Sequence, residues 1–161
     1  MKIAVGSDHR GFKTKTKIIE YLKKKNYEVF DYGTDSMENT DYTKYAFKVG
    51  EAVANKTVDF GIVVCGTGIG ISIACNKVRG VRCAKVDSTK EAKLTRKDND
   101  ANVLALNGTM AFYKVKDIID TFFCTKYSNI DRYNKRIEQI KEYEDNNNPI
   151  LRKVERDKKH E

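Results

Sequence analysis

Phe60-Gly61-Ile62-Val63-Val64-Cys65-Gly66-Thr67-Gly68-Ile69-Gly70-Ile71-Ser72 changes character at its midpoint. Its first half is an apolar run, as expected of a strand covered on both faces. Its second half is a glycine-spaced turn, and Thr67 to Asn76 fits a short helix. A strand that passes through a turn into a helix is the unit from which parallel sheets are built. Such sheets bind ligands at the carboxyl ends of their strands, which is where Cys65 falls. Three glycines let backbone N–H groups crowd around an anion without Cβ interference. A thiolate beside them can move protons or form covalent bonds.

The same alternation extends both ways along the chain. Ile3-Ala4-Val5, Tyr27 to Tyr32, Val81 to Val86 and Asn102 to Leu106 read as four further strands. Phe12, Ile19 and Leu22, with Ile18 beside them, share one helix face, and Tyr45, Val49, Ala52 and Val53 form another apolar stripe. Thr89 to Lys97 and Ala111 to Thr125 supply two more helices, and Asp131 to Glu144 a last one, ended by Asn146-Asn147-Asn148-Pro149. The expected fold is α/β: a Rossmann-like three-layer α/β/α arrangement with a five-stranded parallel sheet and a C-terminal helix. Residues 1–145 form the domain, and 146–161 a charged tail expected to be exposed and partly disordered.

A chain of 161 residues with 40% apolar and 34% charged content suits one soluble globular domain. No apolar run reaches membrane-spanning length, and the start reads as a strand and not a signal peptide, so a cytoplasmic protein without membrane association is expected. Four cysteines without Cys-x-x-Cys spacing and two histidines make a zinc site improbable. Cys75, Cys83 and Cys124 fall within apolar patterns and read as core. The net charge of +8 comes from lysines spread along helix faces and a late cluster, Arg152 to Lys159. Such charge suits anionic metabolites and does not by itself imply nucleic acid.

Ser7-Asp8-His9-Arg10-Gly11 follows the first strand and so shares the sheet edge of the Cys65 loop. Asp8 and His9 there can bind hydroxyls or phosphate, although Asp8 also suits a helix cap. The loop spacing is Gly-x-Gly-x-Gly with Ile71 where the dinucleotide motif needs its last glycine, so a nucleotide site with Asp87 on the ribose is disfavoured. Asp98-Asn99-Asp100 reads first as turn chemistry. Arg132 and Arg136, four apart, project from one helix face, as surface charge or as a phosphate bracket.

Taken in order, these segments resemble ribose-5-phosphate isomerase type B, in the family that includes the galactose-6-phosphate isomerase subunits. The resemblance covers roughly residues 1–145. It rests on Gly6 to Lys13, Thr40-Asp41-Tyr42, Cys65 to Ser72, Ala74 to Lys77 with Gly80-Val81-Arg82, Asn99 to Leu104, and Arg132 with Arg136. It implies interconversion of ribose 5-phosphate and ribulose 5-phosphate through an enediolate, without metal or organic cofactor, in the non-oxidative branch of the pentose phosphate pathway. By that resemblance Cys65 shuttles the proton, Thr67 hydrogen-bonds the thiolate, and the loop Gly66, Gly68, Ile69 and Gly70 stabilises the enediolate oxygen. Asp8, Tyr42 and Asn99 hold sugar oxygens, while His9, Arg132 and Arg136 hold phosphate. The partner is then a small sugar phosphate, and each pocket is built from two subunits, so a homodimer is the minimum and a tetramer remains open.

Two positions depart from the family pattern. Asp98 stands where a histidine commonly opens the sugar ring, and Thr109 stands where relatives usually carry a phosphate-binding arginine. A carboxylate of ordinary acidity is a poor general acid at pH 7. One lost charge-assisted bond costs about 1.5–3 kcal/mol of affinity. The alternatives are an isomerase of a hexose 6-phosphate (allose or galactose) and a catalytically impaired sugar-phosphate-binding relative.

Overall fold

The computed structural model describes residues 1–147. They divide into two units, Met1–Tyr127 and the part of Ser128–Glu161 that is described. The charged tail from residue 148 and its basic cluster lie outside the described residues.

The first unit alternates strand and helix throughout: β1 Lys2–Ser7, α1 Phe12–Lys24, β2 Glu28–Asp31, α2 Tyr42–Ala54, β3 Phe60–Cys65, α3 Ile69–Cys75, β4 Cys83–Lys85, α4 Thr89–Asn99, β5 Val103–Asn107 and α5 Phe112–Cys124. The five strands form one parallel sheet in the order β2-β1-β3-β5-β4. Side chains alternate between its faces, and the helices cover both. Ile62, Val64, Leu104 and Leu106 pack with Ile18 and Leu22 of α1, Ala92 of α4 and Val115, Ile118, Ile119 and Phe122 of α5. Val63, Cys65, Val103 and Ala105 face Val49 and Val53 of α2 and Ile71 and Cys75 of α3. The three layers expected from the sequence are therefore present.

This topology places the site. The chain leaves β1 and β5 toward the first face, and it leaves β3, which lies between them, toward the second. Crevices open where neighbouring strands send their helices to opposite faces. β3 has such a crevice on each side, and Cys65 is its last residue.

Three details differ from the sequence reading. The buried stripe of α1 is Thr14, Lys15, Ile18 and Leu22, with Phe12 and Ile19 only half-buried. Lys15 moves the stripe: its stem is buried and its Nζ donates to both Asp31 oxygens, at 2.6 and 2.7 Å. Cys124 is exposed, because it ends α5 where the helix leaves the core, and its thiol donates to the Thr121 carbonyl. Cys75 is buried and Cys83 half-buried. A hydrogen bond with Cys75, and then burial, pushes the Cys83 thiol up, which suits two packing thiols.

The second unit contributes α6, Asp131–Asn146, preceded by Ile130. Its first turn carries Asp131, which complements the positive end of the helix.

The Lys15–Asp31 pair is asymmetric, with side-chain exposures of 2% and 48%. Asp31→Ala strands a buried ammonium and should cost about 3 kcal/mol or more. Lys15→Met keeps the volume and leaves a carboxylate that water reaches, so it should cost less than about 1.5 kcal/mol. Urea unfolding of the two variants compares them, and equal losses would contradict the asymmetry.

Candidate active site

Cys65 is 4% exposed. Its sulfur accepts a hydrogen bond from the Gly68 amide at 3.1 Å. That bond needs the chain to double back within three residues. Gly68 allows it by adopting φ +78°, and a Cβ there would lie 2.9 Å from the Leu106 carbonyl carbon. The loop is thus pressed against the end of β5 as well as curled around the thiol. Gly108 closes the contact from the other side, its amide donating to the Cys65 carbonyl at 2.9 Å.

The outer two glycines are defined by what lies on them. A Cβ at Gly70 would meet the Tyr42 ring, 2.7 Å from Cζ and 2.9 Å from the hydroxyl. A Cβ at Gly66 would meet the Arg10 guanidinium, 2.5 Å from Cζ. Side chains from the first residue of α2 and from the β1–α1 turn therefore lie against the two ends of the glycine loop. Thr67 is exposed, and its hydroxyl accepts from the Ile69 amide at 3.1 Å. The sulfur is bonded by Gly68 and not by Thr67, which departs from the sequence expectation. Thr67 instead satisfies one of the amides left open at the start of α3.

The β1–α1 turn is fixed by Asp8, which is 5% exposed. Its Oδ1 accepts from the amides of Arg10 and Gly11, each at 3.0 Å. Asp8 therefore holds the turn that precedes α1 and does not cap the helix, whose N-cap is Gly11 without a side-chain bond. His9 is half-buried, with Nδ1 3.2 Å from both the amide and the carbonyl of Thr40. The Thr40 hydroxyl lies 3.0 Å from that of Tyr45. Hydrogen bonds from Thr34 and then Thr40 pull the Tyr45 phenol below its ordinary value. Thr40 and Tyr45 thus hold His9 in place, a role that core periodicity could not assign to Tyr45.

Asp8, His9, Tyr42, Cys65, Gly66, Thr67, Gly68, Ile69 and Gly70 gather at the carboxyl ends of the strands. Asp98 and Asn99 do not join them. They close α4, which runs back to the other end of the sheet, and Asp100 follows in the left-handed conformation with φ 47°. Arg82 anchors this corner, its Nε donating to the carbonyls of Asn99 and Asp100, both at 3.1 Å. The register runs from Gly61 beside Val103 to Cys65 beside Asn107. Four residues of strand, roughly 13 Å, thus separate that end from the thiol within one chain. Thr109 carries no cation, and its amide and hydroxyl both donate to Asn107 Oδ1, at 2.8 and 2.7 Å. On α6, the guanidinium carbons of Arg132 and Arg136 lie 4.8 and 5.8 Å from the Tyr133 ring centre, so they share one face.

An open cavity of about 770 Å³ lies between the end of β2 and α2, lined in part by Tyr32, Thr34, Tyr45 and Lys48. It includes neither Cys65 nor the glycine loop. Among the described residues no group of three or more His, Cys, Asp or Glu could hold a metal, and no helix is long and apolar enough to cross a membrane.

A doubly wound parallel sheet with a thiol in a glycine loop at its switch point defines a class of small-molecule α/β enzyme. The chain belongs to the ribose/galactose isomerase family, whose model matches residues 3–140. It is 43% identical over 148 residues to ribose-5-phosphate isomerase B of Escherichia coli, covering 91% of this chain and 99% of that protein. The structure of ribose-5-phosphate isomerase B from Clostridium thermocellum is similar with a TM-score of 0.87 and 44% identity, covering 89% of this chain and 97% of that one. That of the Mycoplasma genitalium enzyme with bound ribulose 5-phosphate is similar with a TM-score of 0.85 and 38% identity, over 89% and 95% of the two chains.

Gly68→Ala should cost about 1–2 kcal/mol for the left-handed backbone alone, and more from the collision with β5. It should also release the thiol and depress turnover at least as strongly as stability. Unfolding and rate measured on one preparation check this, and unchanged turnover would contradict the role given to the Gly68 amide.

Proposed function

We propose that the protein is an aldose–ketose isomerase that interconverts ribose 5-phosphate and ribulose 5-phosphate in the cytoplasm. The observation that carries this reading is the buried Cys65 sulfur, held by the Gly68 amide at a switch-point crevice. The relatives named as ribose-5-phosphate isomerases favour a pentose over a hexose phosphate.

In this mechanism the Cys65 thiolate removes the C2 proton of the open-chain aldose. The electron pair forms the C1–C2 double bond and charge moves onto O1, where loop amides stabilise it. Donors aimed at such an oxyanion typically contribute about 3 kcal/mol each. The proton on O2 passes to O1, the thiol returns its proton to C1, and O2 becomes the ketone oxygen. Asp8 and Tyr42 orient sugar hydroxyls, and His9 faces the phosphate, joined by Arg132 and Arg136. Thr67 steadies the loop that carries the thiol.

Ring opening falls to Asp98 and sugar binding to Asn99. Because these two close α4 at the far end of the sheet, they reach a thiol only if it belongs to another copy. That separation supports a homodimer in which each site is shared between two chains.

Cys65→Ala should lower turnover by about 10²- to 10⁴-fold with the fold intact, in an assay coupled to ribulose 5-phosphate formation. Near-normal turnover would remove the isomerase assignment. Sharing of the site has its own test. Co-expressing Cys65→Ala with Asn99→Ala chains should restore up to about a quarter of wild-type activity, through hybrid dimers holding one intact site. No recovery above either variant alone would place both residues in one chain's site. Asp98→His should raise turnover on ring-closed substrate, and an unchanged rate would mean that ring opening is already supplied.

A further inference from the structure

Arg10 has no role in the mechanism above, yet its side chain lies on the catalytic loop. Its backbone is fixed on both sides: the amide donates to Asp8 Oδ1 at 3.0 Å, and the carbonyl would lie 3.0 Å from a Cβ on Gly108. From that anchor the side chain crosses the end of β3. A Cβ on Gly66 would lie 2.5 Å from Cζ, 2.7 Å from Nε and 2.8 Å from Nη1. Cζ is the nearest of the three, so the flat face of the guanidinium meets the glycine. Only a residue without a side chain admits this contact. Gly66 is the neighbour of Cys65, so the cation sits one residue from the thiol.

Nothing among the described residues uses that charge. Arg10 is exposed, and among the described residues its guanidinium has no hydrogen-bond or ion-pair partner. Asp8, the nearest carboxylate in sequence, spends Oδ1 on two backbone amides. Lys15 and Arg96, by contrast, are each paired with a carboxylate. Thr109, at the end of the neighbouring strand, offers a hydroxyl turned onto Asn107. An unpaired guanidinium fork at the rim of an anion site matches the geometry of a phosphate, which it can bind through two parallel N–H···O bonds.

We propose that Arg10 is a substrate-binding residue that clamps the phosphate group of the sugar phosphate from above Gly66, supplying the cation that Thr109 does not. The substrate class rests on the isomerase reading, whereas the anion site rests on Arg10 and Gly66 alone.

The test pairs isomerase kinetics with calorimetric binding of inorganic phosphate, using the full-length wild type, Arg10→Ala and Arg10→Lys. A lost charge-assisted contact should weaken phosphate binding and raise KM by about tenfold or more in Arg10→Ala. kcat and the unfolding midpoint should change little, and Arg10→Lys should fall between. Phosphate affinity equal in wild type and Arg10→Ala would overturn the proposal. So would a fall in kcat at unchanged KM and phosphate affinity, which would move Arg10 to the enediolate oxygen. Wild type that binds phosphate through Arg10 but turns over no sugar would sink the isomerase reading and leave the anion site standing.

Discussion

The structure depends on one backbone constraint: the turn after β3 must leave the sheet on the face opposite to the turns after β1 and β5. Three chain segments meet at that point within van der Waals distance. Gly11 is so close to β3 that a Cβ would lie 2.4 Å from the Val64 carbonyl oxygen, and Gly68 is pressed on Leu106 in the same way. The thiol, the glycine loop, Asp8 and His9 are brought together by this crossing. Their proximity comes from sheet topology and not from their spacing in the sequence.

Given that crossing, each glycine of the loop has a separate task. Gly68 turns the chain so that its amide reaches the sulfur, Gly66 receives the Arg10 guanidinium, and Gly70 receives the Tyr42 ring. A dinucleotide loop spaces its glycines for a pyrophosphate lying on a helix. Here two of the three make room for the Arg10 and Tyr42 side chains, which accounts for the different spacing in physical terms.

Much of this was legible in the sequence because it is local. Strand–turn–helix alternation is set by apolar period and glycine placement, and every strand and helix forms within a few residues of its expected bounds. Cys65 could be found because a thiol at the end of an apolar run has few structural reasons to be there. What could not be read depends on distance. Lys15 counts as polar in any periodic pattern, and only the fold shows Asp31 within its reach. Cys124 looks like core until α5 ends and leaves it at the surface. Arg10 stood in a quoted motif without a task, since nothing local places it over Gly66. Asp98 and Asn99 read as turn chemistry and joined Cys65 only through the family resemblance, and within one chain α4 carries them to the opposite end of the sheet.

In the proposed reaction a proton, and not a hydride, moves between the sugar's first two carbons through the Cys65 sulfur. Turnover of ribose 5-phosphate in deuterium oxide, followed by NMR of the recovered ribulose 5-phosphate, tests it most directly. Proton transfer through the thiol predicts solvent deuterium at C1 of the product, partial in extent because Cys65 is only 4% exposed. Full conversion with no deuterium at C1 would indicate a hydride shift and contradict the account.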